Sequence, residues 1–104
     1  MKVKEGVKLA GLQLPMRKVL VEASKLWDTF GAELVVTSTT DGVHSPGSLH
    51  PYGYAVDLRT HYFKDDQHQM LANELRYQLG NVYDVIVHPT HIHVEWDRAK
   101  YIEK

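Results

Sequence analysis

The sequence predicts a small single-domain α+β fold, with a mostly antiparallel sheet and helices packed on one of its faces. Three observations carry this prediction. Two segments repeat apolar residues at helical spacing, four short segments read as strands, and the order is helix, strand, loop, strand, helix, strand, strand. The 104 residues, 43% hydrophobic and 24% charged, have a globular composition with room for one core, so residues 1–104 are read as one domain.

Residues 15–30 read as the first helix. Pro15 suits a first turn, Met16, Val19, Leu20, Ala23, Leu26, Trp27 and Phe30 recur at helical spacing, and Gly31 supplies a left-handed stop. Glu33 to Ser38 is short and β-branched, a strand. From Thr39 to Gly53 the turn formers Asp41-Gly42, Ser45-Pro46-Gly47 and Pro51-Tyr52-Gly53 make a loop long enough to imply function. Tyr54 to Arg59 is the second strand. Asp66 and Gln69 have the spacing of a capping box that opens a helix through Leu71, Leu75 and Leu79 to a stop at Gly80. Tyr83 to Val87 and His91 to Trp96 are two further strands joined by a tight turn containing Pro89.

Composition excludes several classes of function. A net charge of −1 provides no basic field for a nucleic-acid backbone. The absence of cysteine removes disulfides, thiolate metal sites and cysteine nucleophiles together. No apolar run approaches the roughly 18 residues that span a bilayer, and Met1 to Gly6 has no apolar stretch behind its charges, so neither a membrane partner nor a secretory signal is expected. With no oligomer signal, a monomer is expected.

Strand alternation points to a site among the seven histidines. Tyr54, Val56 and Leu58 share one face of their strand, leaving Ala55 and Asp57 opposite. Ile92, Val94 and Trp96 share a face of theirs, leaving His91, His93 and Glu95 opposite. With both apolar faces on the helices, Asp57 and the two histidines meet on the other side, and His50 lies at the mouth of the long loop, where Gly53 lets the backbone return it. Imidazoles and one carboxylate, with no thiolate, suit zinc with a position left open for water. Such a metal acidifies its water toward a pKa of ~7 and polarises a carbonyl, which fits peptide hydrolysis. Calcium and magnesium prefer oxygen-rich shells; iron stays possible on ligand type alone.

Ser48-Leu49-His50-Pro51-Tyr52-Gly53-Tyr54-Ala55-Val56-Asp57 matches every fixed place of S-x-H-x-x-G-x-A-x-D, the motif of the zinc D-alanyl-D-alanine carboxypeptidase and L-alanyl-D-glutamate endopeptidase family. His91-Ile92-His93 resembles the H-x-H of its murein endopeptidase relatives, which share the fold of the hedgehog signalling domain. The resemblance implies one zinc held by His50, Asp57 and His93. It implies His91 as general base or oxyanion stabiliser, and Ser48 as a hydrogen-bonding support of the ligands. Glu95 is placed to orient an imidazole, Tyr52 to line a substrate groove, and Gly53 and Ala55 to be small where backbone passes the site. The implied activity is hydrolysis of stem or cross-bridge peptides of peptidoglycan, as in an endolysin.

Two places depart from the family pattern. Thr90 stands where many relatives carry an acidic base, and Thr37 to Gly42 holds no arginine of the kind that grips a substrate carboxylate. The first keeps open a non-catalytic hedgehog-like zinc module that binds cell wall or a protein partner. The second favours an endopeptidase over a carboxypeptidase, with Arg59 a conceivable substitute. A phage-encoded enzyme made in the cytoplasm and a domain of a longer exported protein are both compatible settings. His44, His61 and His68 read as surface or turn residues, His88 as structural, and Trp27, Phe30 and Trp96 as core.

Overall fold

Alternation along two neighbouring strands sets the architecture. In the computed structural model, which describes residues 1–40 and 52–97, Val56, Leu58, Ile92 and Val94 have 0% exposure and form one core with two helices. The elements run β1 (Lys2–Val3), α1 (Pro15–Thr29), β2 (Val35–Ser38), β3 (Ala55–Arg59), α2 (Asp65–Leu79), β4 (Tyr83–Val87) and β5 (His91–Trp96). The strands form one mixed sheet in the order β1-β2-β3-β5-β4. The β1–β2 pair is parallel, and the other three adjacent pairs are antiparallel.

Both helices turn an apolar stripe onto this sheet. Met16, Val19, Ala23 and Trp27 of α1 are buried, as are Leu71, Ala72, Leu75 and Leu79 of α2. They pack with Val36, Val85 and the inward residues of β3 and β5. Each fully buried aliphatic side chain of this kind contributes roughly 1.5–3 kcal/mol. Trp27 also satisfies its polar atom, with the indole Nε1–H donating to the Arg59 carbonyl at 3.0 Å. No helix among the described residues is long and apolar enough to cross a membrane.

Several expectations are corrected. The strand expected from Glu33 begins at Val35, and Tyr54 precedes β3 rather than opening it. β1 was not expected, because two residues carry no readable period; it makes the sheet mixed. The capping box of α2 lies two residues earlier than Asp66 and Gln69. The backbone N–H of Lys64 donates to Gln67 Oε1 at 3.1 Å, so Gln67 is the residue that reaches back. Lysine offers no acceptor, so the side-chain half of the box is missing, while Asp65 and Asp66 place negative charge in the first turn, where the helix dipole favours it. Phe30 and Trp96 are only partly buried against the core, and Tyr54 stacks on Trp96 with ring centroids 5.2 Å apart.

His68, expected at the surface or in a turn, is buried at 5% exposure. It falls in the spacing of Leu71, Ala72 and Leu75, so α2 turns it inward. Its Nε2 contacts the carbonyls of Thr60 at 2.9 Å and Phe63 at 3.2 Å, tying the turn after β3 to the helix.

The N-terminal segment holds both sides of the long loop. On one side the Thr39 hydroxyl donates to the Lys8 carbonyl at 2.6 Å. On the other, the Gln13 N–H donates to the Gly53 carbonyl at 2.9 Å. Gly53 has φ +80°, and a Cβ there would collide with the Gly11 carbonyl. The glycine is therefore required by this backbone crossing, whereas the sequence suggested a close pass at the site.

Candidate functional site

The two central strands bring the expected residues together. β3 and β5 pair so that Asp57 lies directly opposite His93, Arg59 opposite His91, and Ala55 opposite Glu95. All six therefore belong to the sheet face away from the helices. His93 Nδ1 stands 2.9 Å from Asp57 Oδ1, and its Nε2 stands 2.7 Å from Glu95 Oε1. The ring is clamped between two carboxylates, Asp57 on one side and Glu95 on the other.

His91 lies beside this pair without joining it. Its Nε2 is 3.8 Å from Asp57 Oδ2, too long for a hydrogen bond. The His88 ring stacks on His91 at 4.6 Å, and the His88 N–H donates to the His91 carbonyl at 2.9 Å, closing the β4–β5 hairpin. The structural part expected of His88 is thus to pin the His91 ring. Thr90 Oγ1 approaches His91 Nδ1 at 3.4 Å.

A bulge enlarges the site toward β2. Val36 pairs with Leu58, but Ser38 rather than Thr37 pairs with Asp57, leaving Thr37 extra in its strand. Bulges of this kind re-aim side chains near functional sites. Here Thr37 and Ser38 both line a cavity of about 330 Å³ that also reaches Asp57, His91 and Thr90. Two lining residues had no place in the expected site: Lys4, which follows the unforeseen β1, and His61, expected only as a surface residue.

Electrostatics single out His93. Burial opposes charging of its ring, yet the hydrogen bonds and negative charges of Asp57 and Glu95 outweigh burial and hold its pKa above the ordinary 6.5. A ring whose two nitrogens both face carboxylates is suited to the imidazolium form. The same pair could hold part of a metal's shell: with Nε2–H donating to Glu95, His93 Nδ1 and Asp57 Oδ1 face each other as two possible ligand atoms. Two such donors on one tetrahedral zinc stand about 3.3 Å apart, so this pair, at 2.9 Å, needs to open only slightly. A carboxylate behind a metal-bound histidine is the usual second support of such centres.

The rest of the expected ligand set is not brought into view. His50 and Ser48 lie outside the described residues, as does His44. Among the described residues no three His, Asp or Glu side chains form a complete metal-holding group. Tyr52, expected to line a groove, is 68% exposed.

Compared with models of protein families and with curated proteins, the chain matches none. Fold and site together define a coarse class: an α+β domain carrying a histidine–carboxylate cluster on the open face of a mixed sheet.

Proposed function

We propose that the chain is a zinc-dependent peptidase acting on the stem or cross-bridge peptides of peptidoglycan. The observation that carries this reading is the Asp57–His93 pair, 2.9 Å apart and backed by Glu95, with His91 alongside. It supplies two donors of the right chemistry at nearly the right separation. The Ser48 to Asp57 motif, whose pattern adds His50 as third donor, supports the same reading.

Bound there, zinc supplies an acidified water and polarises the scissile carbonyl. The chain's own residues do the rest. Glu95 fixes which nitrogen of His93 faces the donors. His91, partly exposed and stacked on His88, is the imidazole outside the proposed ligand set, and it would take the water's proton or face a developing oxyanion. Ser38 and Thr90 would offer hydroxyls to a peptide backbone in the adjoining cavity, while the Thr37 hydroxyl donates to the Asp57 carbonyl at 3.4 Å.

One observation favours a second reading, a non-catalytic zinc module. Among the described residues lining that cavity, Asp57 is the one carboxylate, and Thr90 occupies the edge where an acidic base would serve. Digestion of murein by the zinc-loaded protein, followed by mass spectrometry of the fragments, separates the two. New amino termini that disappear in a His91→Ala variant still holding zinc support the peptidase. Intact murein under all conditions supports the module.

A further inference from the structure

We propose that the outer edge of β4 is a self-pairing surface, able to join two copies of this chain edge to edge, and that Arg76 holds it shut. The inference is independent of the metal reading, because it concerns the rim of the sheet rather than its open face.

The hydrogen-bond pattern of the β4–β5 hairpin fixes which backbone groups face outward. At one end the His88 N–H donates to the His91 carbonyl, and at the other the Asp97 N–H donates to the Val82 carbonyl. Between them the register pairs Asp84 with Glu95 and Ile86 with His93. Bonded and non-bonded pairs alternate along an antiparallel ladder, so residues 82, 84, 86 and 88 turn their backbone groups toward β5. Tyr83, Val85 and Val87 turn theirs the other way, and β4 is the last strand of the sheet. Such a rim is a template for another strand. Little in Tyr83–Val87 discourages one: the segment has no proline, a single charge at Asp84, and Ile86 at 45% exposure.

A second copy suits this edge because the edge is symmetric about Val85. Two copies turned antiparallel around that residue pair Val85 with its own counterpart, Tyr83 with Val87, and Asp84 with Ile86. No charge of β4 then meets its like directly across the junction, an arrangement that would destabilise it.

At the centre of that junction Val85 must exchange two hydrogen bonds with its counterpart, which requires its carbonyl. That carbonyl is taken. Arg76, in the last turn of α2, donates through Nη2 to the Val85 carbonyl at 2.7 Å. Its Nη1 donates to Asn73 Oδ1 at 2.9 Å, tying the guanidinium back to its own helix. A charge-assisted bond of this kind is roughly twice as strong as the neutral amide bond that would replace it. In a symmetric pair the two guanidinium groups would also meet at the axis and repel.

Sedimentation of the full chain from micromolar to millimolar concentration tests this, with amide hydrogen exchange as a second readout. Wild type is expected to sediment as one chain of 11.9 kDa. Its Val85 and Val87 amides should exchange quickly while those of Asp84 and Ile86, bonded to β5, are protected. Arg76→Ala and Arg76→Met, the second keeping an apolar stem, are expected to dimerise with an association constant roughly tenfold or more above that of wild type. In both, Val85 and Val87 gain protection. Val87→Pro added to either variant restores the monomer, because it removes an outward N–H and none directed at β5. The proposal is overturned by a wild type that dimerises as tightly as the variants, by folded Arg76 variants that stay monomeric, or by dimers that survive Val87→Pro. Protection of Val85 and Val87 in monomeric wild type overturns it as well, whether or not a variant folds.

Discussion

Asp57 and His93 face each other across the β3–β5 ladder, carboxylate oxygen to ring nitrogen at 2.9 Å, from positions 36 residues apart in the chain. Because Glu95 holds the far nitrogen of the same ring at 2.7 Å, the imidazole has a fixed orientation before any ligand arrives. A metal bound there, as proposed above, would have to displace a proton.

The first prediction concerns that proton. In metal-free protein the His93 ring titrates above 6.5. A raised folded-state pKa stabilises the fold fully below the unfolded value and loses that contribution as pH rises through the folded value. Metal-free protein is therefore expected to lose stability upward from about pH 6.5, and Glu95→Gln to lower the His93 pKa. NMR titration of the ring together with denaturant melts across pH 5 to 9 measures both; a ring titrating at or below 6.5 contradicts the double clamp.

Zinc should silence that titration. Asp57→Asn and His93→Gln each remove a donor and are expected to abolish tight binding, while Glu95→Gln weakens it by roughly 10–100-fold. Competition against a chromophoric chelator reads the series, and affinity should fall as pH drops through the His93 pKa. Equal affinity in Glu95→Gln and wild type removes Glu95 from the centre.

Gly53→Ala is expected to destabilise the domain by about 1–3 kcal/mol. The new methyl meets the Gly11 carbonyl at a residue whose φ is +80°. Hydrogen exchange at Gln13, whose N–H donates to the Gly53 carbonyl, should quicken more than exchange in α2.

His68→Leu tests the buried histidine. The substitution leaves the Thr60 carbonyl without its His68 contact, at a cost of roughly 1–3 kcal/mol by denaturant melts. Unchanged stability would show that the turn from Thr60 to Phe63 does not depend on the ring.

Much of this was legible in the sequence. Strict alternation in Ala55–Arg59 and His91–Trp96 placed Asp57, His91, His93 and Glu95 on one face, because period two leaves no other assignment once Val56, Leu58, Ile92 and Val94 are buried. The α+β class followed from periods long enough to read. What escaped lacked such a period. β1 is two residues long, and its pairing with β2 is a matter of tertiary contact. Lys4 therefore came to the site unannounced. His68 carried a signal, its spacing from Leu71 and Leu75, but a polar side chain on an apolar stripe is legible only when its hydrogen-bond partners are known. The bulge at Thr37 and the Gly11–Gly53 crossing depend on how strands meet, which composition does not encode.

The β3–β5 pairing has a consequence for how the protein matures. The β4–β5 hairpin closes locally, whereas the contact of Asp57 with His93 spans 36 residues that include α2 and carries the entropy of a long closure. Fragments and half-formed intermediates would then lack the paired side chains, and on the zinc reading proposed above, capture of a metal ion would serve as a clock for the completion of folding.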